Sequence, residues 1–83
     1  MAKKDFSILV VDDEETFRYM LSTLISGAGY QVDTAQDGVA AINAVQTKLY
    51  DVVLCDVKMP KVDGIEVLKF IRMNYPNTEV VML

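Results

Sequence analysis

Four short apolar runs, each separated from the next by a stretch of helical spacing, constrain this chain more than any other feature. Phe6-Ser7-Ile8-Leu9-Val10-Val11 is rich in β-branched residues and does not alternate with polar ones. It reads as a strand buried on both faces, the mark of a parallel sheet. Phe17, Met20, Leu21, Leu24 and Ile25 then recur on one helical face, with Glu14 and Glu15 in the first turn, where carboxylates suit the helix dipole. Gly27 and Gly29 stop that helix, because glycine tolerates the left-handed backbone of a C-terminal cap. Tyr30 to Thr34 forms a short second strand, and Asp37-Gly38 opens a second helix running to about Lys48. Its apolar side is Ala41, Ile42, Val45 and Leu49. Asp51 leads into the most apolar strand, Val52 to Cys55, and a loop from Val57 to Val62 follows. Asp63 and Glu66 have capping-box spacing and begin a third helix ending near Met73. Pro76 disfavours helix at Tyr75, and Val80 to Leu83 is a fourth strand.

Regular β-α alternation implies a parallel sheet with helical crossovers, an α/β doubly wound fold. Right-handed crossovers and one reversal after the first unit predict strand order 2-1-3-4, with the first helix on one face and the others opposite. That order makes the first and third strands neighbours. Both end in acids, Asp12-Asp13 and Asp56, at the switch point where such sheets bind ligands. The 83 residues allow one small domain, 1–83, and no second one.

Composition narrows the function. With 12 acidic and 8 basic side chains the net charge is −4, and only Lys3 and Lys4 sit together. Direct nucleic-acid binding needs clustered cations and is not expected. A hydrophobic share of 52% argues for a real core and against disorder. No apolar stretch approaches the ~20 residues of a membrane span, and a cytoplasmic setting is expected. The chain has no His, which removes histidine triads and His-ligated zinc. Cys55, the sole cysteine, sits in an apolar run and reads as a buried core thiol.

Asp12, Asp13 and Asp56 would converge on one small volume. Like charges about 4 Å apart repel by roughly 4 kcal/mol at an effective dielectric near 20. Such a group needs a cation or raised pKa values. Oxygen ligands without His or Cys suit a hard divalent ion, and Mg²⁺ fits best because it keeps waters and leaves positions for phosphate oxygens. The plainer reading is that Asp12 and Asp13 cap the first helix. Asp56, at the matching end of another buried strand, weighs against it.

Val10-Val11-Asp12-Asp13-Glu14, then Leu54-Cys55-Asp56-Val57-Lys58-Met59-Pro60, then Asp63-Gly64, together resemble the receiver domains of response regulators in two-component signalling. The resemblance runs from about Phe6 to Leu83. It implies a flavodoxin-like fold and a phosphoryl group accepted on Asp56 from the phosphohistidine of a sensor histidine kinase or phosphotransfer protein. It further implies that Asp13 ligates Mg²⁺ directly, Asp12 holds a metal-bound water, and the backbone carbonyl of Lys58 completes the protein ligands. Pro60 and Gly64 would shape the loop and admit the third helix. As side chains, Lys58 and Lys61 read as solvated, and Met59 as loop packing.

The family pattern continues beyond this sequence with a fourth helix, fifth strand and fifth helix, carrying a switch Ser or Thr, a Lys and an aromatic residue. The chain therefore resembles part of a receiver, one that carries all the expected metal ligands and none of these three switch residues. An alternative is a non-phosphorylated interaction or scaffold piece with inherited acids. Aspartate-nucleophile phosphatases and phosphotransferases place a second acid two residues after the nucleophile. Position 58 is Lys, so an enzyme is not expected. One helix covering a whole sheet face, and an apolar last strand, predict self-association through the open face or the 80–83 edge.

Overall fold

The computed structural model describes residues 3–57 and 64–83. After a 3₁₀ turn at Lys3–Asp5 come strand β1 (Ser7–Val11), helix α1 (Glu15–Gly27), strand β2 (Gln31–Ala35) and helix α2 (Gly38–Thr47). Strand β3 (Val52–Cys55), helix α3 (Gly64–Asn74) and strand β4 (Glu79–Met82) complete the order. All strand pairs are parallel and the sheet order is β2-β1-β3-β4, as the alternation and the placement of the acids predict.

Strand β1 lies between β2 and β3, and all five of its residues are buried. That central position explains the apolar run Ile8–Val11. Leu9 and Val11 point to the face shared by α2 and α3, where they pack with Ala35, Val53, Cys55, Ala41, Val45, Val67 and Ile71. Their odd spacing in β1 and the helical spacing of 41/45 and 67/71 merge into one core. Cys55 is fully buried within it, as a core thiol should be. Ile8 and Val10 point the other way, toward α1, which lies against β1 and β2.

That second face is covered unevenly. Val52 and Leu54 of β3 are only half-buried, and Val81 of β4 is 42% exposed. Met20 and Leu24, read from the sequence as part of a core-facing stripe, are 52% and 67% exposed. Helix α1 covers only the β1–β2 side, so its stripe is wider than the sheet beneath it. Leu49 also departs from the expected apolar side of α2. The helix ends at Thr47, the cap residue Lys48 is extended, and Leu49 projects outward at 74% exposure.

The helix entrances carry their own chemistry. Asp37 caps α2 by accepting from the Ala40 amide at 2.8 Å. Glu14 caps α1, its side chain accepting from Phe17 N at 3.3 Å. Gly29, at φ +99°, supplies the left-handed turn after α1, whereas Gly27 is the last residue of the helix itself. The expected cap at Asp63 and the readings of Met59, Pro60 and Lys61 fall outside the described residues.

Candidate functional site

Register brings the acids together. Val11 pairs with Cys55 across β1 and β3, so the next residues on the two strands are Asp12 and Asp56. The ladder continues through both: Asp56 N donates to Val11 O at 3.0 Å, and Asp12 N donates to Ala35 O at 3.1 Å. Asp13 follows in the turn to α1. One carboxylate oxygen from each of Asp12, Asp13 and Asp56 lies within 4.8 Å of the others. The three differ in surroundings: Asp12 is buried, Asp56 half-buried and Asp13 exposed. The site is thus rooted in the core on one side and open on the other. Lys58, the remaining expected ligand, lies outside the described residues.

The capping alternative for Asp12 and Asp13 does not describe this turn, since Glu14 is the N-cap. Asp12 Oδ1 instead accepts from Glu14 N at 2.8 Å, a two-residue loop that fixes the carboxylate against its own backbone. At the opposite end of the sheet, Asp51 serves structure. Its Oδ2 accepts from Ser7 N at 2.8 Å and ties the start of β1 to the start of β3. At the C-terminal strand ends three carboxylates gather instead.

Two further contacts shape the site, the first of them made by a residue that sequence reasoning did not single out. Arg18 Nη1 donates to the Asp12 carbonyl at 2.7 Å. Its signal in the sequence is slight, a single cation in the early turns of an acidic helix start. The other is the approach of α3. Gly64 N donates to Val57 O at 3.1 Å, and a Cβ built at Gly64 would meet the Asp56 carbonyl oxygen, with Val57 Cα at 2.8 Å. Absence of a side chain at Gly64 lets α3 begin against the backbone of Asp56.

Burial, foremost, holds the Asp12 carboxyl above the ordinary carboxylate range, and the charges of Asp56, Asp13 and Glu14 push the same way against the Glu14 hydrogen bond. A carboxyl with a raised folded pKa contributes stability below its unfolded value, and that contribution is lost as pH rises through the folded value. Ionised Asp12 therefore destabilises the metal-free protein at neutral pH. Asp12→Asn keeps the acceptor for Glu14 N and removes the charge. In excess chelator it should melt at a higher temperature than the parent near neutral pH, and the gap should close below about pH 4, where both states of the parent are protonated. A variant that melts at or below the parent at neutral pH would contradict this account.

A doubly wound parallel sheet with an oxygen-only acidic centre at its switch point defines a class of module suited to a hard divalent cation and to phosphate oxygens. The chain belongs to the response regulator receiver domain family, whose model matches residues 8–83. It is 40% identical over 83 residues to the transcriptional regulatory protein ZraR of Klebsiella oxytoca, covering all of this chain and 19% of that protein. The chemotaxis protein CheY4 of Vibrio cholerae superposes with a TM-score of 0.88 at 39% identity, over 93% of this chain and 66% of that one. The response regulator TrrA of Thermotoga maritima, solved in complex with Mg²⁺-BeF, superposes at 0.89 with 35% identity, over 93% of this chain and 67% of that one. The chain thus spans about two-thirds of these solved receivers and under a fifth of ZraR. Receiver domains are signalling modules of two-component systems, and this chain carries the acidic cluster Asp12, Asp13 and Asp56. No helix among the described residues is long and apolar enough to cross a membrane.

Proposed function

We propose that this chain, as the 1–83 portion of a single receiver domain, is the phosphoacceptor module of a cytoplasmic two-component phosphorelay. Asp56 takes the phosphoryl group from a phosphohistidine of a sensor histidine kinase or phosphotransfer protein. Mg²⁺ would be held by Asp13 and Asp56 directly, by Asp12 through a water, and by the backbone carbonyl of Lys58. The observation that carries this reading is the convergence of three carboxylates within 4.8 Å at the C-terminal strand ends. An all-carboxylate set with neither His nor Cys fits a hard cation, and the Mg²⁺-BeF complex of TrrA, a structural relative, supports the same choice.

Each residue's part follows from its placement. Asp56, half-buried at the end of β3, is reachable by a partner's side chain yet fixed by the ladder bond of its own amide. One of its carboxylate oxygens bonds to phosphorus while the P–N bond breaks, and the imidazole leaves with the electron pair. The product is an acyl phosphate on Asp56. Asp12, buried and held by Glu14 N, keeps its charge in one position. Bound Mg²⁺ would offset the mutual repulsion of the carboxylates and of the incoming phosphoryl oxygens. Beyond this transfer the chain assists at most the hydrolysis of the acyl phosphate, in which water takes the phosphoryl group and the Asp56 carboxylate is regenerated.

Metal titration by calorimetry tests the ligand assignment. Asp13→Ala and Asp56→Ala should each lose most of the Mg²⁺ or Mn²⁺ affinity of the parent. Asp37→Ala removes the α2 cap, at a cost of about 1 kcal/mol in stability, and should bind metal as the parent does. Equal affinity in all three variants would refute the assignment.

The uneven face supports self-association as well. Edge strand β4, with Val81 exposed beside half-buried Leu54, presents apolar surface at a sheet edge, and α1, over β1 and β2, exposes Met20 and Leu24. Such surfaces recruit a second chain, and a symmetric dimer closes them. Molar mass by light scattering should rise with concentration, and Val81→Lys should lower it if the edge is used. A folded monomer at every concentration would rule this out.

A further inference from the structure

We infer that Arg18 is a positioning residue for the acidic centre, taking the place of the strand donor that β2 no longer supplies. This inference rests on the metal-binding reading above. Along the β1–β2 seam, the even-numbered residues of the first strand face the second: the Phe6 carbonyl accepts from Gln31 N at 3.2 Å, and Asp12 N donates to Ala35 O at 3.1 Å. Continued one step, that series would bring the amide of residue 37 to the Asp12 carbonyl. Strand β2 ends at Ala35, however, and Asp37 is already the N-cap of α2, its side chain turned to Ala40 N. The Asp12 carbonyl belongs to the peptide that joins two of the three clustered acids, on a residue only 6% exposed. A buried carbonyl left without a donor costs roughly 1–3 kcal/mol, or the peptide rotates to find one.

Arg18 prevents that rotation. Its Nη1 reaches the Asp12 carbonyl at 2.7 Å from one turn along α1, and its backbone amide donates to Glu14 O at 3.0 Å. The amide of Glu14 in turn donates to Asp12 Oδ1 at 2.8 Å. Residues 12–14 are therefore gripped at the Asp12 carbonyl, the Asp12 carboxylate and the Glu14 carbonyl, so that both acids of the pair leave a peptide of fixed orientation. The guanidinium spends its bond on backbone, so it positions the ligands without occupying one of their oxygens. Positioning and charge make opposite predictions. If Arg18 acts only as a nearby positive charge, its removal strengthens cation binding; if it orients the ligands, removal weakens binding.

Mn²⁺ affinity, read from the free-ion paramagnetic resonance signal well below the melting temperature, decides between them. Arg18→Met, which keeps an apolar stem and loses the donor, should bind Mn²⁺ about 10–100-fold more weakly, the range typical of groups that orient metal ligands. Arg18→Lys, which can still donate from a long arm, should recover at least part of that loss. Parent-like or tighter binding by Arg18→Met overturns the inference, as does an Arg18→Lys variant no better than Arg18→Met. If Arg18→Met does not fold by circular dichroism, Arg18→Leu read at lower temperature takes its place under the same criteria. The underlying reading has its own control: a parent protein that binds Mn²⁺ no better than Asp13→Ala refutes the metal site itself, whereas a parent that binds and an Arg18→Met that binds equally refutes only the role of Arg18.

Discussion

Incubated with acetyl phosphate and Mg²⁺, the chain should gain a single phosphoryl group by intact mass, and Asp56→Asn should gain none. The expected effect is all or nothing because the reaction consumes a particular oxygen nucleophile. An amide at position 56 preserves size and much of the hydrogen bonding but cannot attack phosphorus. The other two acids are poor substitutes on physical grounds. Asp12 is buried with one oxygen engaged by Glu14 N, and its raised pKa favours the protonated form relative to an ordinary carboxylate. Asp13 is exposed and leaves the loop ahead of the α1 cap. Chelator should suppress the reaction, since bringing a phosphoryl dianion to three carboxylates within 4.8 Å is strongly unfavourable without a counterion. A mass gain that survives in Asp56→Asn, or that proceeds equally in excess chelator, would place the acceptor elsewhere.

Gly64→Ala should be the most damaging conservative substitution outside the acids. The added Cβ would fall on the carbonyl oxygen of Asp56, and would stand 2.8 Å from Val57 Cα and 2.9 Å from Asp56 C. All three are backbone atoms and cannot swing away as a side chain would. Either α3 withdraws or the chain after β3 is displaced. Overpacking of this kind costs about 1–3 kcal/mol, and it acts on the residue that carries the chemistry. Urea unfolding should therefore show a lower midpoint, and metal affinity should fall in the same variant. Gly27→Ala is the internal comparison: a Cβ there meets nothing within 4 Å, and alanine is the better helix former at the end of α1. It should be neutral or stabilising. A Gly64→Ala protein as stable as Gly27→Ala, with undiminished metal affinity, would show that the close approach is not needed.

The sequence by itself determined the element order, the parallel sheet and the gathering of acids at one end. These are properties of pattern. A strand that is almost wholly apolar calls for cover on both sides, and β1 has it, whereas β3 is fully buried on one face only, at Val53 and Cys55. Alternation with helices forces crossovers, whose handedness is set by chirality, so placing Asp12 beside Asp56 follows from chain direction and pairing. The opening of α2 at Asp37 is equally local, whereas the cap of α1 falls on Glu14 and not on the Asp12-Asp13 pair. What only the tertiary structure decided depends on distances between segments far apart in the chain, or on how much surface one element can cover. Met20 and Leu24 have helical spacing in the sequence yet stand exposed, because periodicity reports which side of a helix is apolar and not whether a partner lies beneath it, and Leu49 stands exposed because α2 ends before it, at Thr47. The resemblance marks Gly64 as the residue that admits α3, but the reason for glycine there, the close approach to the Asp56 carbonyl, appears only when the two segments are packed. Arg18 is the sharpest case: its signal in the sequence is slight, and its contact with Asp12 exists because β2 ends one step too early to pair that carbonyl itself.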